Sequence, residues 1–160
     1  MKYKRVLFVC TGNTCRSAMA EAIFQDMVGT EPELQSAGFA AKSAGTLDLG
    51  RSQATDEAIQ VMREKALDIS LHRSRHIDGD LIDWADVILV MEHKHKHYIL
   101  ANFIRADEKV HLLTEFAGED GEVADPFGGG MKGYRQCVDK LASLLRVMIE
   151  NMGSFKYTTE

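Results

Sequence analysis

Cys10 and Arg16 are the two residues whose types and spacing most clearly suggest chemistry. They lie in a Cys-x5-Arg-Ser pattern, and Gly12 and Asn13 between them tolerate tight or left-handed backbone. A loop of this kind between a strand and a helix points its backbone N–H groups at one spot, where the helix dipole adds positive potential. Such a nest binds a phosphate dianion and stabilises a thiolate, so Cys10 is a candidate nucleophile. The Arg16 guanidinium can donate two parallel hydrogen bonds to phosphoryl oxygens.

The residues on either side of this loop predict the elements that position it. Four apolar residues, 6–9, indicate a short buried strand over about 4–10 that ends at the thiol. Apolar residues at helical spacing after the loop predict a helix over about 17–29, with Ser17 as its N-cap. The loop therefore belongs at the carboxyl edge of the first strand, where open α/β sheets bind their ligands.

The rest of the chain continues the alternation of strands and helices. We expect strands at about 33–37, 85–91 and 109–113, helices at about 53–65, 92–102 and 131–150, and a surface loop over 38–52. This order predicts an α/β fold: a single-domain three-layer sandwich in which a central, mainly parallel four-stranded sheet carries helices on both faces, with the phosphate-binding loop after strand 1. We assign residues 1–152 to the domain and expect a flexible C-terminal tail over 153–160.

The composition narrows the class of protein. With 160 residues, 45% of them hydrophobic and 27% charged, the chain is typical of one globular domain. Its net charge of -5 argues against nucleic acid as a partner, because nucleic-acid binding needs a basic face. No apolar run has the length of a signal peptide or a membrane span, and an odd count of three cysteines does not suggest a secreted disulfide framework. We therefore expect a cytoplasmic monomer with no membrane partner.

Residues 10–17 resemble the signature of a known family. The low-molecular-weight protein tyrosine phosphatases carry Cys-x-Gly-Asn-x-Cys-Arg-Ser after an N-terminal strand, and every specified position of that pattern matches here. The Asp125-Pro126 pair, which precedes the last predicted helix, also matches the family. One departure is Ala18, where the family usually has a proline that would preset the first helical turn. The resemblance extends from about residue 4 to about residue 150.

The resemblance implies a role for each of these residues. Cys10 would be the nucleophile, Arg16 and the loop amides would stabilise the phosphoryl group, and Asp125 would be the general acid. Asp125 would then activate the water that hydrolyses the cysteinyl-phosphate, without a metal or an organic cofactor. The substrate is expected to be a phosphorylated protein. The residues expected to bind the substrate and its phosphate are Thr11, Gly12, Asn13, Thr14, Cys15, Arg16, Ser17 and Phe127.

The family also implies residues that support the loop. Asn13 and Ser17 lie within the loop itself. Ser36 begins a Ser-Ala-Gly triplet like the one that follows the family's second strand, and His72 matches a histidine that braces the loop. The alternative interpretations are a plain turn for the triplet and a surface position in a polar loop for His72.

The other cysteines have different interpretations. Cys15 is either a small buried residue or, as in the family, the partner that forms a reversible disulfide with Cys10 under oxidation. We favour the second interpretation, because a thiolate in such a nest oxidises readily. Cys137 lies in the last predicted helix and is expected in the core.

Three histidines, His93, His95 and His97, fall in the predicted helix over 92–102. No cysteine or carboxylate trio completes a metal site with them. We therefore interpret them as part of a solvated helix face and predict no metal site.

At two places the sequence resembles the branch of the family that acts on phosphoarginine. Thr11 follows the nucleophile, where tyrosine-directed members more often have a bulkier aliphatic residue. Phe127-Gly128-Gly129 follows Asp125-Pro126, where many tyrosine phosphatases have two tyrosines that would enclose a phenol. A site with fewer rings and a carboxylate near its mouth suits a planar cation.

Three alternatives to a phosphoarginine phosphatase stay open. The first is a phosphotyrosine phosphatase of the same family. The second is arsenate reduction, which relays oxidation through cysteines near residues 80–90, where this chain has none. The third is a non-enzymatic phosphocysteine carrier, against which Arg16 and Asp125 argue, because carriers lack the arginine and the acid.

Overall fold

The strands form one parallel sheet. A computed structural model of the chain describes residues 3–154. Its strands are β1 (Arg5–Cys10), β2 (Ala40–Gly45), β3 (Val87–Val90) and β4 (Val110–Leu112), in the spatial order β2-β1-β3-β4. All three pairings are parallel. Since β1 is an inner strand, it is buried on both faces, as its unbroken apolar run predicts.

Helices connect the strands and cover the sheet. They are α1 (Arg16–Thr30), α2 (Pro32–Ser36), α3 (Asp56–Glu64), α4 (Gly79–Trp84), α5 (His93–Asn102), α6 (Leu113–Phe116) and α7 (Gly130–Ser154), with a short 3-10 helix at Ile104–Ala106. No helix of residues 3–154 is long and apolar enough to cross a membrane. The short helices α2, α4 and α6 were not predicted from the sequence.

The side chains of β1 point alternately into two apolar cores. Phe8 packs in the core formed with α1, α3 and α7, whereas Leu7 and Val9 pack in the core formed with α4 and α5. The predicted three-layer α/β sandwich, with its loop after the first strand, is therefore confirmed. The loop lies at the carboxyl edge of an inner strand, between two cores.

The second strand differs from the prediction. Residues 33–37 were expected to be a strand, but Pro32 occupies the first turn of α2, a position where its fixed φ favours a helix. The strand is instead β2, within the predicted surface loop over 38–52. Ala41 is buried in the core shared with α1, where its small side chain allows the helix to pack closely, and Ala44 is buried in the core on the other face of the sheet. The strand lacks the β-branched residues that normally reveal one.

The predicted role of Ser36 is wrong for the same reason. Ser36 is exposed, its hydroxyl donates to the Glu33 carbonyl, and it precedes β2 at the amino edge of the sheet. A second Ser-Ala-Gly triplet, 43–45, ends β2 at the carboxyl edge beside the loop. A Cβ on Gly45 would lie 2.6 Å from the Thr11 carbonyl oxygen, so this strand end must be glycine for the loop to pass.

The C-terminal helix is longer than predicted. α7 continues to Ser154, so the first two residues of the expected tail over 153–160 are helical. Residues 155–160 lie outside the described residues. The domain limits of 1–152 remain a prediction.

Candidate active site

Cys10 ends β1 and is buried at the base of the loop. Its Sγ lies 2.9 Å from the Ser17 hydroxyl oxygen. That oxygen accepts a hydrogen bond from Asn13 Nδ2 at 2.8 Å, so the hydroxyl proton can be donated to the sulfur or to the Ala44 carbonyl oxygen, which lies farther away at 3.4 Å. The expectation that Ser17 caps α1 is wrong, because Cys15 is the N-cap residue and Ser17 lies within the first turn. Ser17 instead contacts the Cys10 sulfur through its side chain.

Asn13 gives the loop its turn. Its φ of 56° is in the left-handed region, which asparagine tolerates better than most residues. Its Oδ1 accepts from the backbone N–H of Arg75 at 3.0 Å, and its carbonyl oxygen lies 2.7 Å from His72 Nε2. The structure thus brings His72 to the loop, as the resemblance implied.

Arg16 begins α1 and is 1% exposed. Its Nη1 donates to Glu92 Oε2 at 2.6 Å and to the Val123 carbonyl at 2.8 Å. Burial opposes the charged guanidinium, but Glu92 and Cys10 outweigh that effect and raise the Arg16 pKa above its ordinary value. At Glu92, burial alone would raise the pKa of the carboxyl group. The hydrogen bond and the charge of Arg16 outweigh burial, so the Glu92 pKa is lowered. Glu92 therefore holds the guanidinium in place, a role that the sequence analysis did not assign.

The Arg16 guanidinium also has an unused donor. Its buried Nε has no hydrogen-bond partner among the residues that the structure describes. An unpaired buried donor is costly unless a ligand satisfies it. This donor therefore fits a site that binds an anion.

Asp125 comes to the mouth of the loop from the segment before α7. Its Oδ2 lies 3.8 Å from Arg16 Nη2, although 109 positions separate the two residues in the sequence. Its Oδ1 accepts from the backbone N–H of Phe127 at 3.0 Å. The Asp125 side chain is 48% exposed and Phe127 is 78% exposed, so both are accessible to a substrate.

His95 is not on the predicted solvated face. It is 1% exposed, its Nε2 lies 2.8 Å from Thr11 Oγ1, and its Nδ1 accepts from the Glu92 backbone N–H at 3.1 Å. Burial and the charge of Arg16 lower the His95 pKa to about 4, so the ring is neutral at neutral pH. Its position three residues after the helix N-cap, where a side chain can reach back to the N-cap N–H, was the available signal.

The neighbouring histidines match the prediction. His93 and His97 are exposed, with ring centroids 6.5 Å apart. No group of three metal-ligating side chains occurs among residues 3–154.

Both other cysteines are buried. Burial, followed by the charge of Cys10, raises the Cys15 pKa to about 12, so Cys15 is a neutral thiol at neutral pH. Cys15 and Cys10 are both free, and a disulfide between them remains a prediction. Cys137 lies in the core, as expected.

The remaining loop residues are fixed through their backbone. The Thr14 carbonyl accepts from the Thr55 backbone N–H at 2.9 Å, and the Thr11 carbonyl accepts from Leu47 at 3.0 Å. A Cβ on Gly12 would lie 2.8 Å from the end of the Leu49 side chain. The loop is therefore held by the segments that follow β2.

Comparison with known proteins identifies the family. The family model described as low molecular weight phosphotyrosine protein phosphatase matches residues 5–156. The chain belongs to this phosphatase family. The match includes the loop, Asp125 and both cores.

Relatives within the phosphatase family act on different residues. The chain is 40% identical to the protein-arginine-phosphatase of Geobacillus stearothermophilus over 149 residues, which is 92% of this chain and 95% of the relative. A solved structure of an arginine phosphatase from the same organism has a TM-score of 0.88 and 38% identity, covering 99% of this chain and 97% of its own. The protein-tyrosine-phosphatase PtpB of Staphylococcus haemolyticus is 31% identical over 141 residues, 88% of this chain and 94% of the relative.

Proposed function

We propose that this phosphatase removes phosphate from arginine residues of proteins through a cysteinyl-phosphate intermediate. The observation that carries the proposal is the 3.8 Å separation of Arg16 Nη2 and Asp125 Oδ2. At this distance, the Asp125 carboxyl group lies beside a loop that contains the buried Cys10 thiol and the buried Arg16 guanidinium. Nucleophile, anion binder and proton carrier are the three groups that such a transfer needs.

In the first step, Cys10 Sγ attacks the phosphorus of the substrate. An S–P bond forms as the P–N bond breaks, and the departing guanidine nitrogen takes a proton, with Asp125 as the proposed donor. Arg16 and the amides of residues 11–16 stabilise the negative charge on the phosphoryl oxygens. The Ser17 hydroxyl, 2.9 Å from the sulfur, stabilises the thiolate before the attack.

In the second step, water displaces the sulfur. Asp125 accepts a proton from the water, whose oxygen forms a bond to phosphorus as the S–P bond breaks. Inorganic phosphate leaves, and the Cys10 thiolate is ready for another cycle. All groups used in both steps are side chains or amides of this chain, so we propose no metal or organic cofactor.

Three features of the site support arginine as the substrate residue. Thr11 is a short side chain beside the nucleophile, and Phe127 is the only aromatic residue in the Asp125-Pro126-Phe127-Gly128-Gly129 segment. Before transfer, the exposed Asp125 carboxyl group can accept a hydrogen bond from the guanidino group of the substrate through the oxygen that does not carry the donated proton. Both the similar sequence and the similar solved structure from Geobacillus stearothermophilus carry the name of an arginine phosphatase.

The second candidate is phosphotyrosine, which the similarity to the tyrosine phosphatase PtpB supports. The two substrates are distinguished by assaying one phosphoarginine protein and one phosphotyrosine peptide with the same preparation. We expect the larger kcat/KM for phosphoarginine. A larger value for phosphotyrosine would contradict the proposed substrate and leave the phosphatase mechanism standing.

We further propose that the protein is a cytoplasmic monomer whose partners are its phosphorylated substrates. The free cysteines support a reducing compartment, since oxidation of Cys10 would stop the reaction. Fractionation of cells and light scattering of the purified chain test these two statements. A mass of two chains, or recovery with the membrane fraction, would contradict them.

A further inference from the structure

The buried His95 ring joins the start of α5 to the loop of the nucleophile. Its Nδ1 accepts a hydrogen bond from the Glu92 backbone N–H at 3.1 Å. Its Nε2 lies 2.8 Å from the hydroxyl oxygen of Thr11, the residue that follows Cys10. Since the ring is almost completely buried, water does not compete for either nitrogen.

These two contacts fix the tautomer of the ring. A backbone N–H can only donate, so Nδ1 is the nitrogen without a proton. In a neutral imidazole the proton is then on Nε2. Burial, Arg16 and Lys94 keep the ring neutral against the opposing charges of Glu92 and Glu122. The Nε2–H group therefore donates to Thr11.

The tautomer in turn fixes the role of the Thr11 hydroxyl. A threonine hydroxyl has one proton and two lone pairs. His95 occupies one lone pair, so the O–H bond points away from the ring. The hydroxyl is partly buried, and its proton has no acceptor among residues 3–154. The proton is thus available to an oxygen atom in the pocket above Cys10.

We propose that His95 is a positioning residue that holds the Thr11 hydroxyl as a donor to the oxygen atoms of the reaction. This inference rests on the proposed function, because the acceptor is the attacking water or a phosphoryl oxygen. A water that accepts from Thr11 keeps a second lone pair for phosphorus and can donate its proton to Asp125. Without the His95 contact, the hydroxyl rotates among its staggered positions, and the water is less often oriented for attack.

Two substitutions separate this role from a purely structural one. His95→Asn keeps an acceptor near the position of Nδ1 and removes the group that reaches Thr11. His95→Gln keeps a donor near the position of Nε2 and removes the acceptor for Glu92. We expect kcat to fall about tenfold in His95→Asn, the size of one lost hydrogen bond, with little change in KM. We expect His95→Gln to recover most of that loss while it lowers the melting temperature more than His95→Asn does.

A double-mutant cycle with Thr11→Val identifies the route of the effect. Val has the shape of Thr without the hydroxyl, so we expect His95→Asn to change kcat less than twofold in the Thr11→Val background. An unchanged kcat in His95→Asn alone, or the same tenfold fall in both backgrounds, would overturn the inference.

A third measurement does not depend on activity. Nitrogen-15 shifts of the His95 ring in the full chain report which nitrogen carries the proton. We expect protonation at Nε2, and protonation at Nδ1 would overturn the inference. If the unaltered chain hydrolyses neither phosphoarginine nor phosphotyrosine, the proposed function fails, whereas activity without coupling between the two residues contradicts only the role of His95.

Discussion

The floor and the rim of the active site are built differently. The floor, residues 10–17, consists largely of buried groups with several hydrogen bonds each, including Asn13 and Arg16. The rim is formed by 46–52 and 125–127, where Leu47 is 54% exposed and Phe127 is 78% exposed. The floor therefore fixes the geometry of the reaction, while the rim presents side chains that a substrate can contact.

The difference follows from what each region must do. A thiolate and a guanidinium act most strongly when they are preorganised away from water, and this requires partners such as Glu92 and Ser17. A protein substrate must reach the site, so the rim has to stay open. Changes in the floor should then reduce turnover of every substrate, and changes in the rim should distinguish between substrates.

The largest expected effect is at the centre of the floor. Cys10→Ser replaces the proposed sulfur nucleophile with a hydroxyl, a much weaker nucleophile, so we expect turnover of all phosphorylated substrates to fall roughly 10⁴-fold or more. Steady-state assays with the folded variant measure the loss. The matched control is Cys137→Ala in the core of α7, which should keep its kcat. Comparable loss in both variants would point to unfolding rather than to lost chemistry.

The rim contains Asp125, for which we propose a role in proton transfer. Asp125→Asn removes the proton carrier but keeps the shape, and we expect kcat to fall roughly 10²- to 10⁴-fold. Asp120→Asn, in the exposed loop before it, is the control and should be neutral. If Asp125→Asn retained full kcat for every substrate, Asp125 would belong to the rim alone.

The helix that supports the floor should make the protein sensitive to acid, because His95 of α5 contacts Thr11 of the floor. The His95 pKa is about 4 in the folded chain and 6.5 for an ordinary histidine, so between these values the unfolded chain binds the extra proton. The stability that this histidine contributes is complete above pH 6.5 and is lost as pH falls to 4, by roughly 3 kcal/mol. Arg16 and Lys94 favour the neutral ring, and Glu92 and Glu122 oppose them.

Urea unfolding at several pH values measures this dependence. Between pH 6.5 and pH 4, we expect the unfolding free energy to fall much less in His95→Asn than in the unaltered chain. In Phe127→Ala, on the rim, we expect it to fall as much as in the unaltered chain. If the unfolding free energy changed equally with pH in the unaltered chain and both variants, the assignment of this acid sensitivity to His95 would be contradicted.

Thr11→Ile is expected to be an exception to the rule that changes in the floor affect every substrate alike. Thr11 lies in the floor, yet we expect this substitution to shift the ratio of kcat/KM values at least about tenfold toward phosphotyrosine, because it removes a hydroxyl and adds apolar bulk beside the nucleophile. Assays on both substrates give the ratio. An unchanged ratio would assign substrate choice to the rim alone.

The floor could be predicted from sequence because its signals are local. The strand, the thiol, the glycine and asparagine, and the helix after them are contiguous, and each residue type favours the conformation that it adopts. Asp125 could be found only by resemblance, because nothing local distinguishes its Asp-Pro pair from a turn. The structure brings it to the loop through the packing of α7 against α1 and α3.

The parts that the sequence analysis missed depend on packing. β2 is built of small residues, whose pattern indicates neither a strand nor a helix. As a result, the Ser-Ala-Gly triplet at 36–38 was assigned the role that the triplet at 43–45 has in the structure. His95 was placed with His93 and His97, although helical spacing points residues four apart in one direction and the residue between them elsewhere. The direction of His95 is buried because the loop over 10–17 packs against it, and that packing is set by the fold rather than by local sequence.

The most direct test of the cysteinyl-phosphate mechanism uses the Asp125→Asn chain. Mixed with an aryl phosphate such as p-nitrophenyl phosphate, whose phenolate leaves without a proton from Asp125, and denatured after a short time, it should accumulate enzyme with one phosphoryl group on the peptide that contains Cys10. Attack then proceeds, whereas hydrolysis, in which Asp125 accepts the proton of the water, is slowed. Mass spectrometry of the digested chain locates the group. Continued turnover with no phosphorylated Cys10, or a phosphoryl group on His72 or His95 instead, would contradict the mechanism.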